Sequence, residues 1–292
     1  MQCVDISKYY DYQNPEKYFV IRSILKEHGV SIVKRNDGTY ACCDCDVEAI
    51  IGDAVKKAEG ARFIEASVNT DWSEVREAAL KRFKTTPSLK PVVEFIVNNL
   101  AAGNNVLMTG SPGSGKSYIL DVMHEVVQDS VMINMFNATN AGIEDLIANL
   151  RSVNMLLIDE LDKANVRDLG MILQLADAGR GKVVVVKSNK TLMIKGEFRI
   201  LAASNYFRGK RSVAWDALRD RFVVVDVPKP TVGEVTALFM DIADTEDPIL
   251  VKLVQQLYDS ISMRRLLYAA QYVRANRNDP KLHEHVRAIL LS

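Results

Sequence analysis

The residues from Val106 to Ser117, VLMTGSPGSGKS, contain the spacing G-x-x-x-x-G-K-[ST] between an apolar run and a helix-competent segment, YILDVMHEVV. Closely spaced glycines let the backbone curl so that its N–H groups point inward, and the helix that follows adds the positive end of its dipole. Lys116 can then reach the terminal phosphates of a nucleotide, and the Ser117 hydroxyl can bind Mg²⁺. The residues predicted to bind the phosphates are Gly110, Ser111, Pro112, Gly113, Ser114, Gly115, Lys116, Ser117 and Tyr118. An ordinary glycine-rich turn between a strand and a helix is the alternative.

Two acidic residues and one amide follow later apolar runs. Asp159 and Glu160 come directly after MLLI, and Asn205 ends FRILAASN. Phosphoryl transfer to water needs one carboxylate at the Mg²⁺ shell and a second that polarises the attacking water. Asp159, acting on the metal through water, suits the first role and Glu160 the second, while the Asn205 amide can orient the same water. Helix capping by the acids and a turn at Asn205 are the local alternatives.

Two pairs of arginines carry charge that phosphates attract. Arg219 and Arg221 lie in ALRDRF, just before a last apolar run, FVVVDV. From there a guanidinium can reach a phosphate bound by another subunit and neutralise charge in the transition state. Arg264 and Arg265 begin the helical pattern SMRRLLYAAQ, where one guanidinium can bridge to a terminal phosphate. Solvated surface arginines are the alternative for each pair.

Apolar strands alternate with helices between the predicted phosphate-binding loop and Val227. This alternation predicts a parallel five-stranded sheet covered on both faces. Pro228 and Pro230 end the pattern, and the chain after Thr231 is predicted to be helical only. We therefore expect an α/β P-loop NTPase fold in three parts. These are a small N-terminal α+β module (1–84), a nucleotide-binding domain (85–229) and a helical lid (230–292).

The N-terminal module contains helical spacing over 15–28, a hairpin signal at Asn36-Asp37-Gly38 and a second helical run that Asp46 can cap. The predicted order α-β-β-α-β is compatible with a small binding module, and nothing in it carries recognisable chemistry. A second hairpin, around Ser188-Asn189-Lys190, is expected inside the nucleotide-binding domain.

The composition is that of an ordinary globular protein, with 48% hydrophobic and 25% charged residues over 292 positions. No apolar run approaches the roughly 20 residues of a membrane-spanning helix, and the polar N-terminus does not resemble a secretory signal. A cytoplasmic chain without a membrane partner is expected. The net charge of zero disfavours nucleic-acid binding driven by overall charge but leaves room for a local basic patch.

The four cysteines are Cys3, Cys42, Cys43 and Cys45. Cys42 and Cys45 have C-x-x-C spacing, but no second pair of cysteines or histidines completes a zinc site. Reduced thiols are therefore expected, as is usual in the cytosol. Whether Cys42 and Cys45 bind a metal is left open.

The order GSPGSGKS, LLIDELD, ILAASN, ALRDRF and SMRRLL resembles the AAA+ ATPases, in which these segments are Walker A, Walker B, sensor 1, the arginine finger and sensor 2. The hairpin before sensor 1 and the R-F pair are similar to the MoxR, CbbQ and dynein-related subgroup. The resemblance covers residues 87–275 and leaves 1–84 unexplained. It implies a ring, usually a hexamer, with each nucleotide held between neighbouring subunits.

The resemblance also assigns roles to individual residues. It makes Lys116 and Ser117 ligands of phosphate and Mg²⁺, Asp159 the acid of the metal shell and Glu160 the base. Asn205 matches sensor 1. Arg221 aligns with the arginine finger, with Arg219 as the less favoured candidate, and Arg264 matches sensor 2.

One departure concerns the loop after the second strand, where many threading AAA+ unfoldases carry an aromatic residue. This loop reads NATNAG, and Phe136 is assigned to the preceding strand, which disfavours threading of a protein through a central pore. The hairpin tip and the loop from Arg208 to Arg211 are candidates for contact with a partner or with nucleic acid, or are simply solvated turns.

The expected function is hydrolysis of ATP, with Mg²⁺, to remodel an unknown client protein or a protein–nucleic acid partner. A DNA-acting ATPase and a nucleotide-switched scaffold with little turnover are the alternatives. No base-reading motif separates ATP from GTP.

Overall fold

The structure, a computed structural model, describes residues 2–10, 15–59, 62–65, 70–138, 142–143, 152–178, 183–187, 190–195, 198–205 and 213–292. The described strands are β1 Gln2–Asp5, β2 Ser31–Arg35, β3 Gly38–Cys43, β4 Arg62–Glu65, β5 Asn105–Thr109, β6 Ser130–Asn134, β7 Met155–Asp159, β8 Val183–Lys187, β9 Lys190–Lys195, β10 Arg199–Ala203 and β11 Phe222–Asp226. The described α-helices are α1 Pro15–Glu27, α2 Val47–Glu59, α3 Trp72–Arg82, α4 Lys90–Ala101, α5 Lys116–Val126, α6 Val166–Ala178, α7 Val213–Arg219, α8 Val232–Ala243, α9 Pro248–Leu257, α10 Met263–Ala275 and α11 Leu282–Leu291.

The central sheet has five strands in the order β11-β5-β10-β7-β6, and every neighbouring pair in it is parallel. The strands are apolar throughout because both faces are covered. In β5, for example, Leu107 belongs to the core on one face, with α6, while Val106 and Met108 belong to the core on the other face, with α4 and α5. The predicted fold class is therefore confirmed, and the carboxyl ends of all five strands meet at one edge.

Helix α3 packs with the nucleotide-binding domain. Its residues Val75 and Ala79, together with Phe83, are buried in the same core as Val106 and Met108 of β5. Asp71 caps the helix by accepting hydrogen bonds from the backbone N–H groups of Ser73 (2.9 Å) and Glu74 (3.2 Å). This segment lies within the predicted N-terminal module, so packing favours a boundary before Asp71.

The N-terminal residues form a layered unit that includes part of the later chain. One sheet has the order β1-β3-β2, and a second has the order β4-β9-β8. The hairpin predicted around residues 188–190 is present as antiparallel β8 and β9, and β4 pairs with β9 in parallel. Helices α1 and α2 pack on each other and contact strands of both sheets. The hairpin that precedes β10 is thus physically joined to the N-terminal residues.

The structure pairs all four cysteines within this unit. Cys3 of β1 lies opposite Cys42 of β3 and is bonded to it, with 4.2 Å between the Cα atoms, and Cys43 is paired with Cys45. The prediction of reduced thiols is therefore wrong for this structure. Neighbouring residues of a strand point to opposite faces, so Cys42 and Cys43 meet different partners. The C-x-x-C spacing of Cys42 and Cys45 consequently does not place their side chains on one face.

The C-terminal part consists of α8 to α11 around its own apolar core. Thr231 and Glu234 form the capping box that begins α8, as their spacing indicates. Among the residues that the structure describes, no helix has the length and apolar character needed to cross a membrane.

Candidate nucleotide-binding site

The glycine-rich loop connects the end of β5 to the start of α5. Gly110, Gly113 and Gly115 have φ angles of 146°, 80° and 94°, which are unfavourable for residues with a side chain. A Cβ atom at Gly110 would also lie 2.6 Å from the carbonyl oxygen of Val227. The loop therefore requires glycine at these positions to keep its curled backbone.

Lys116 is folded into this loop and is only 6% exposed. Its ammonium group donates hydrogen bonds to the carbonyl oxygens of Gly110 and Ser111 (2.9 Å each) and to the Ser114 hydroxyl (3.2 Å). Burial lowers the pKa of Lys116, and attraction to nearby carboxylates, Asp159 first, opposes that shift. A buried cation held by neutral carbonyls is electrostatically suited to receive an anionic ligand.

Three separate parts of the chain meet at the carboxylate of Asp159, which ends β7 and has an 8% exposed side chain. The Ser117 hydroxyl of α5 donates to Asp159 Oδ2 (3.0 Å), and Arg264 of α10 donates to the same oxygen (3.3 Å). The other oxygen, Oδ1, accepts the backbone N–H of Glu160 (2.9 Å). The phosphate-binding loop, the acidic strand end and the C-terminal helices thus converge on one carboxylate.

Glu160 has an unusual backbone conformation. Its φ of 55° and ψ of 41° place it in the left-handed region, which is uncommon for a residue other than glycine, asparagine or aspartate. Such strain costs on the order of 1–3 kcal/mol and occurs often at functional sites. The conformation turns the chain directly from β7 into a 3₁₀ turn, Leu161–Lys163.

Asn205 lies just beyond β10 and is held by a residue that sequence reasoning missed. Its backbone N–H donates to Asp162 Oδ1 (3.0 Å), and Asp162 is only 9% exposed. A signal was present, because Asp162 is the last acid of the segment DELD, but nothing in the sequence showed that it faces β10. Asp162 joins the turn after Glu160 to the residue predicted to be sensor 1.

A cavity connects these groups. Its lining residues are Gly113, Gly115, Lys116, Ser117, Tyr118, Asp121, Asn205, Ser262, Met263, Arg264 and Leu267. Burial raises the pKa of Asp121, and the nearby Arg264 guanidinium opposes that shift. Tyr118 packs edge-on against Phe83, with ring centroids 5.2 Å apart. The structure therefore brings Lys116, Ser117, Asn205 and Arg264 to one cavity.

Arg219 and Arg221 are not part of this cavity. Arg221 immediately precedes β11, whose first residue, Phe222, lies opposite Asn105 at the start of β5. The phosphate-binding loop follows the other end of β5, about 17 Å away for a five-residue strand. Arg221 instead makes a two-pronged ion pair with Asp177 of α6, at 2.8 and 3.0 Å, and Arg219 is exposed.

Phe136 corrects one sequence-based assignment. Strand β6 ends at Asn134, and the Asn134 side chain accepts the backbone N–H of Phe136 (2.9 Å), which turns the chain. Phe136 is therefore outside the strand, and it is 68% exposed. The predicted contact loop from Arg208 to Arg211 and the hairpin residues Ser188 and Asn189 lie outside the described residues.

The parallel sheet, the glycine loop between β5 and α5 and the acid at the end of β7 define a P-loop nucleotide-binding protein. Residues 105–222 match the family described as the AAA domain of the dynein-related subfamily. This segment is therefore an AAA domain, and the predicted AAA+ family is confirmed. Comparison with curated protein sequences gives no significant match.

Two solved structures share the fold. Domain III of the replication initiation protein DnaA from Thermotoga maritima is 14% identical, with a TM-score of 0.51 over 78% of this chain and 100% of that domain. NtrX from Brucella abortus, in complex with ADP, is 14% identical, with a TM-score of 0.50 over 85% of this chain and 60% of that protein. At these identities the likeness concerns the fold alone.

Proposed function

We propose that this protein is an ATPase that hydrolyses ATP at the interfaces between subunits of a hexameric ring and uses the cycle to remodel a partner. The observation that carries the proposal is the convergence of Ser117 and Arg264 on Asp159. It joins the phosphate-binding loop to the lid at the place where phosphoryl transfer requires metal and positive charge. The MoxR- and CbbQ-like role is a finer proposal that rests on the hairpin before β10.

The residues present fit ATP with Mg²⁺. The positive φ angles of the loop glycines, and the carbonyl that a Cβ at Gly110 would strike, favour a backbone cradle for phosphate. Ser117 and Asp159 supply hard oxygen atoms, which Mg²⁺ prefers, with Asp159 acting through water. When bound, Mg²⁺ would neutralise charge on the phosphate oxygens.

The remaining roles belong to protein groups. Lys116 exchanges its carbonyl partners for phosphate oxygens. The Glu160 carboxylate takes a proton from the water as its oxygen bonds to the γ-phosphorus of ATP, the bond from that phosphorus to the bridging oxygen breaks, and ADP leaves. The Asn205 amide orients that water, with its backbone fixed by Asp162. Arg264 brings a positive charge from the lid.

Arg221 is proposed to act on the nucleotide of a neighbouring subunit, with Arg219 as the alternative. Arg221 is at the edge of the sheet opposite its own phosphate-binding loop, so it is badly placed to serve the nucleotide of its own chain. A ring in which this edge faces the next subunit's cavity would bring it to phosphate. The Arg221 guanidinium would then have to leave Asp177.

A protein client is favoured by Phe136. This aromatic side chain is 68% exposed at the carboxyl end of β6, the position at which a loop can face the centre of a ring. It provides an apolar contact for an extended polypeptide. The reason for disfavouring threading, that Phe136 is part of a strand, therefore no longer applies.

A DNA-acting ATPase is the second candidate, supported by the basic residues from Arg208 to Arg211 and by a fold shared with a replication initiation protein. It predicts stimulation of the ATPase by DNA that declines steeply with salt, whereas a protein remodeller should show no such response. A scaffold that hydrolyses little ATP is disfavoured by the presence of both Asp159 and Glu160.

The decisive experiment is phosphate release by Glu160→Gln. This variant should bind ATP with unchanged affinity but lose turnover by about 100-fold or more, because the amide cannot accept the proton of water. Glu246→Gln, an exposed glutamate of the lid, is the matched control and should retain full activity. Full turnover by Glu160→Gln would remove Glu160 as the base, and no phosphate release by the wild-type protein under any condition would favour the scaffold.

We also propose a revised division of the chain. The packing of α3 on the nucleotide-binding core supports a first boundary near residue 70 rather than at 84, and the pairing of β4 with β9 supports assigning the hairpin to the N-terminal module. For the lid, we keep the start at residue 230 that the sequence suggests. Limited proteolysis should cut near residue 70 before it cuts near residue 84.

A further inference from the structure

A single carboxylate connects the lid to the segment between α3 and α4. Glu234 of α8 accepts the backbone N–H of Ser88 at Oε1 (2.6 Å) and the Ser88 hydroxyl at Oε2 (2.9 Å). The same Oε2 accepts the backbone N–H and the hydroxyl of Thr231, at 2.8 and 2.9 Å. Glu234 therefore accepts the hydrogen bonds that cap its own helix, and it also binds Ser88, which is 146 positions away in the sequence.

The contact with Ser88 is not needed for helix capping. A capping box is complete with the reciprocal bonds between Thr231 and Glu234, which are all within one turn. Burial alone would raise the pKa of Glu234, but hydrogen bonds from Ser88 and Thr231 bring the pKa below its usual value. The carboxylate is thus the form that binds Ser88 at neutral pH, and charged hydrogen bonds of this kind are the stronger ones.

Ser88 is next to a residue that touches the phosphate-binding loop. A Cβ atom placed on Gly115 would lie 3.3 Å from Cδ1 of Leu89 and 4.0 Å from Cε of Met263. Leu89 follows Ser88 directly, and Met263 precedes Arg264 at the start of α10. The space beside this loop glycine is therefore bordered both by Leu89, next to Ser88, and by Met263 of the lid.

Helices α8 and α10 pack against each other. Val235, Leu238 and Phe239 of α8 are buried in the same core as Met263 and Leu266 of α10. Packed cores transmit strain rather than absorb it, so the orientation of α8 that Glu234 fixes also sets the position of α10 and of its Arg264. Lys84, which also lies between α3 and α4, forms a salt bridge with Asp241 of α8 at 3.0 Å. Its side chains are 69% and 46% exposed, so this salt bridge is too weak to fix the orientation of α8 by itself.

We propose that Glu234 is a positioning residue of the nucleotide site: by holding Ser88, it fixes the lid at the angle from which Arg264 reaches Asp159 and the bound phosphates. The proposal rests on the proposed role of Arg264 in nucleotide binding. The proposal predicts that Glu234 affects ATP binding without contacting ATP.

The test compares Glu234→Ala with Thr231→Ala and Lys84→Ala in the full chain. Thr231→Ala weakens the capping box but leaves the bonds to Ser88, and Lys84→Ala removes the exposed bridge. Glu234→Ala should raise the KM for ATP about tenfold, since charged hydrogen bonds to Ser88 are lost, while each control changes it less than about twofold. Equal effects of Glu234→Ala and Thr231→Ala would show that capping alone matters and would overturn the proposal.

A double-mutant cycle with Arg264→Ala identifies the route of the effect. If Glu234 acts through Arg264, adding Glu234→Ala to Arg264→Ala should raise the KM further by less than about twofold. A full tenfold effect in both backgrounds would overturn that route. If Arg264→Ala alone leaves ATP binding and turnover unchanged, the proposed role of Arg264 fails, which is a different result.

A measurement of lid position separates these failures further. Spin labels introduced as unnatural amino acids at Lys81 and Gln271 would report the distance across the cleft between α3 and the lid, which both residues line. Glu234→Ala should broaden the distance distribution, with or without Arg264, and Thr231→Ala should not. An unchanged distribution in Glu234→Ala, despite normal folding by circular dichroism, would overturn the positioning role whatever the ATPase does.

Discussion

Replacing Asp162 should lower the rate of hydrolysis without weakening ATP binding. The Asp162 carboxylate, 9% exposed, accepts the backbone N–H of Asn205 at 3.0 Å and thereby fixes the residue proposed to orient the attacking water. A hydrogen bond to a charged group contributes about 1.5–3 kcal/mol. If that energy holds Asn205 in its productive position, its loss corresponds to a factor of about 10–150 in kcat, at about 1.36 kcal/mol for each tenfold.

The KM for ATP should respond differently. Asp162 is one of the carboxylates whose attraction opposes the lowered pKa of Lys116, so its removal takes negative charge away from the phosphate-binding loop. We therefore expect Asp162→Ala to leave the KM unchanged or slightly lower, with only kcat reduced. Phosphate release measured over a range of ATP concentrations gives both constants, and a fluorescent ATP analogue checks binding directly.

Two further variants isolate the hydrogen bond. Asp162→Asn keeps an oxygen that can accept the Asn205 N–H, so its kcat should fall less than in Asp162→Ala. Lys163→Ala removes the ion pair between Lys163 and Asp162 (3.8 Å). Because Lys163 is 49% exposed, this change should have little effect on kcat. A raised KM with unchanged kcat in Asp162→Ala, or equal losses in Asp162→Ala and Lys163→Ala, would refute the assignment.

Three further outcomes are expected. Gly110→Ala should abolish ATP binding and lower the melting temperature, because its Cβ would meet the Val227 carbonyl at 2.6 Å; ATP-dependent thermal shifts check this, and wild-type shifts would contradict it. Arg221→Ala should lose turnover but regain it when mixed with Lys116→Ala subunits, since each variant supplies what the other lacks; recovery with Arg219→Ala instead would reassign the finger. Hydrogen bonds from Tyr272, the Lys281 backbone and His285 lower the pKa of Asp279 to about 2 from 3.8, so its stabilising effect should be complete above pH 4 and lost as pH falls towards 2. The difference in melting temperature between wild type and Asp279→Asn should shrink over that window, and a constant difference would contradict the assignment.

Much of the fold follows from local signals in the sequence. The runs VLMT, MLLID and RILAA are apolar at every position because both faces of a parallel sheet are buried, and the loop SPGSGKS requires its glycines for backbone reasons alone. The positions of Asp159 and Asn205 follow from the same rule, since both come after parallel strands whose carboxyl ends meet. Such features depend on neighbours in sequence, which is why they could be predicted.

The features that the sequence did not reveal depend on which segments meet in space. Asp162 is hydrogen-bonded to a residue 43 positions away, and β4 pairs with a hairpin strand from another part of the chain. Phe136 was assigned to a strand because it continues an apolar run, but the Asn134 side chain turns the chain two residues earlier. In each case the pattern was compatible with several outcomes, and the deciding contact came from tertiary structure.

Glu234 shows how a correct local prediction can hide a long-range role. The spacing of Thr231 and Glu234 predicts a capping box, and the structure contains one, so the sequence offers no reason to look for more. A capping glutamate, however, uses only part of its capacity, because each carboxylate oxygen can accept more than one hydrogen bond. The remaining capacity binds Ser88, and through it the angle of the lid becomes linked to the segment that touches Gly115. A satisfied local motif is therefore not evidence that a residue has no further partner, and in this protein the second partner is the one that concerns the nucleotide.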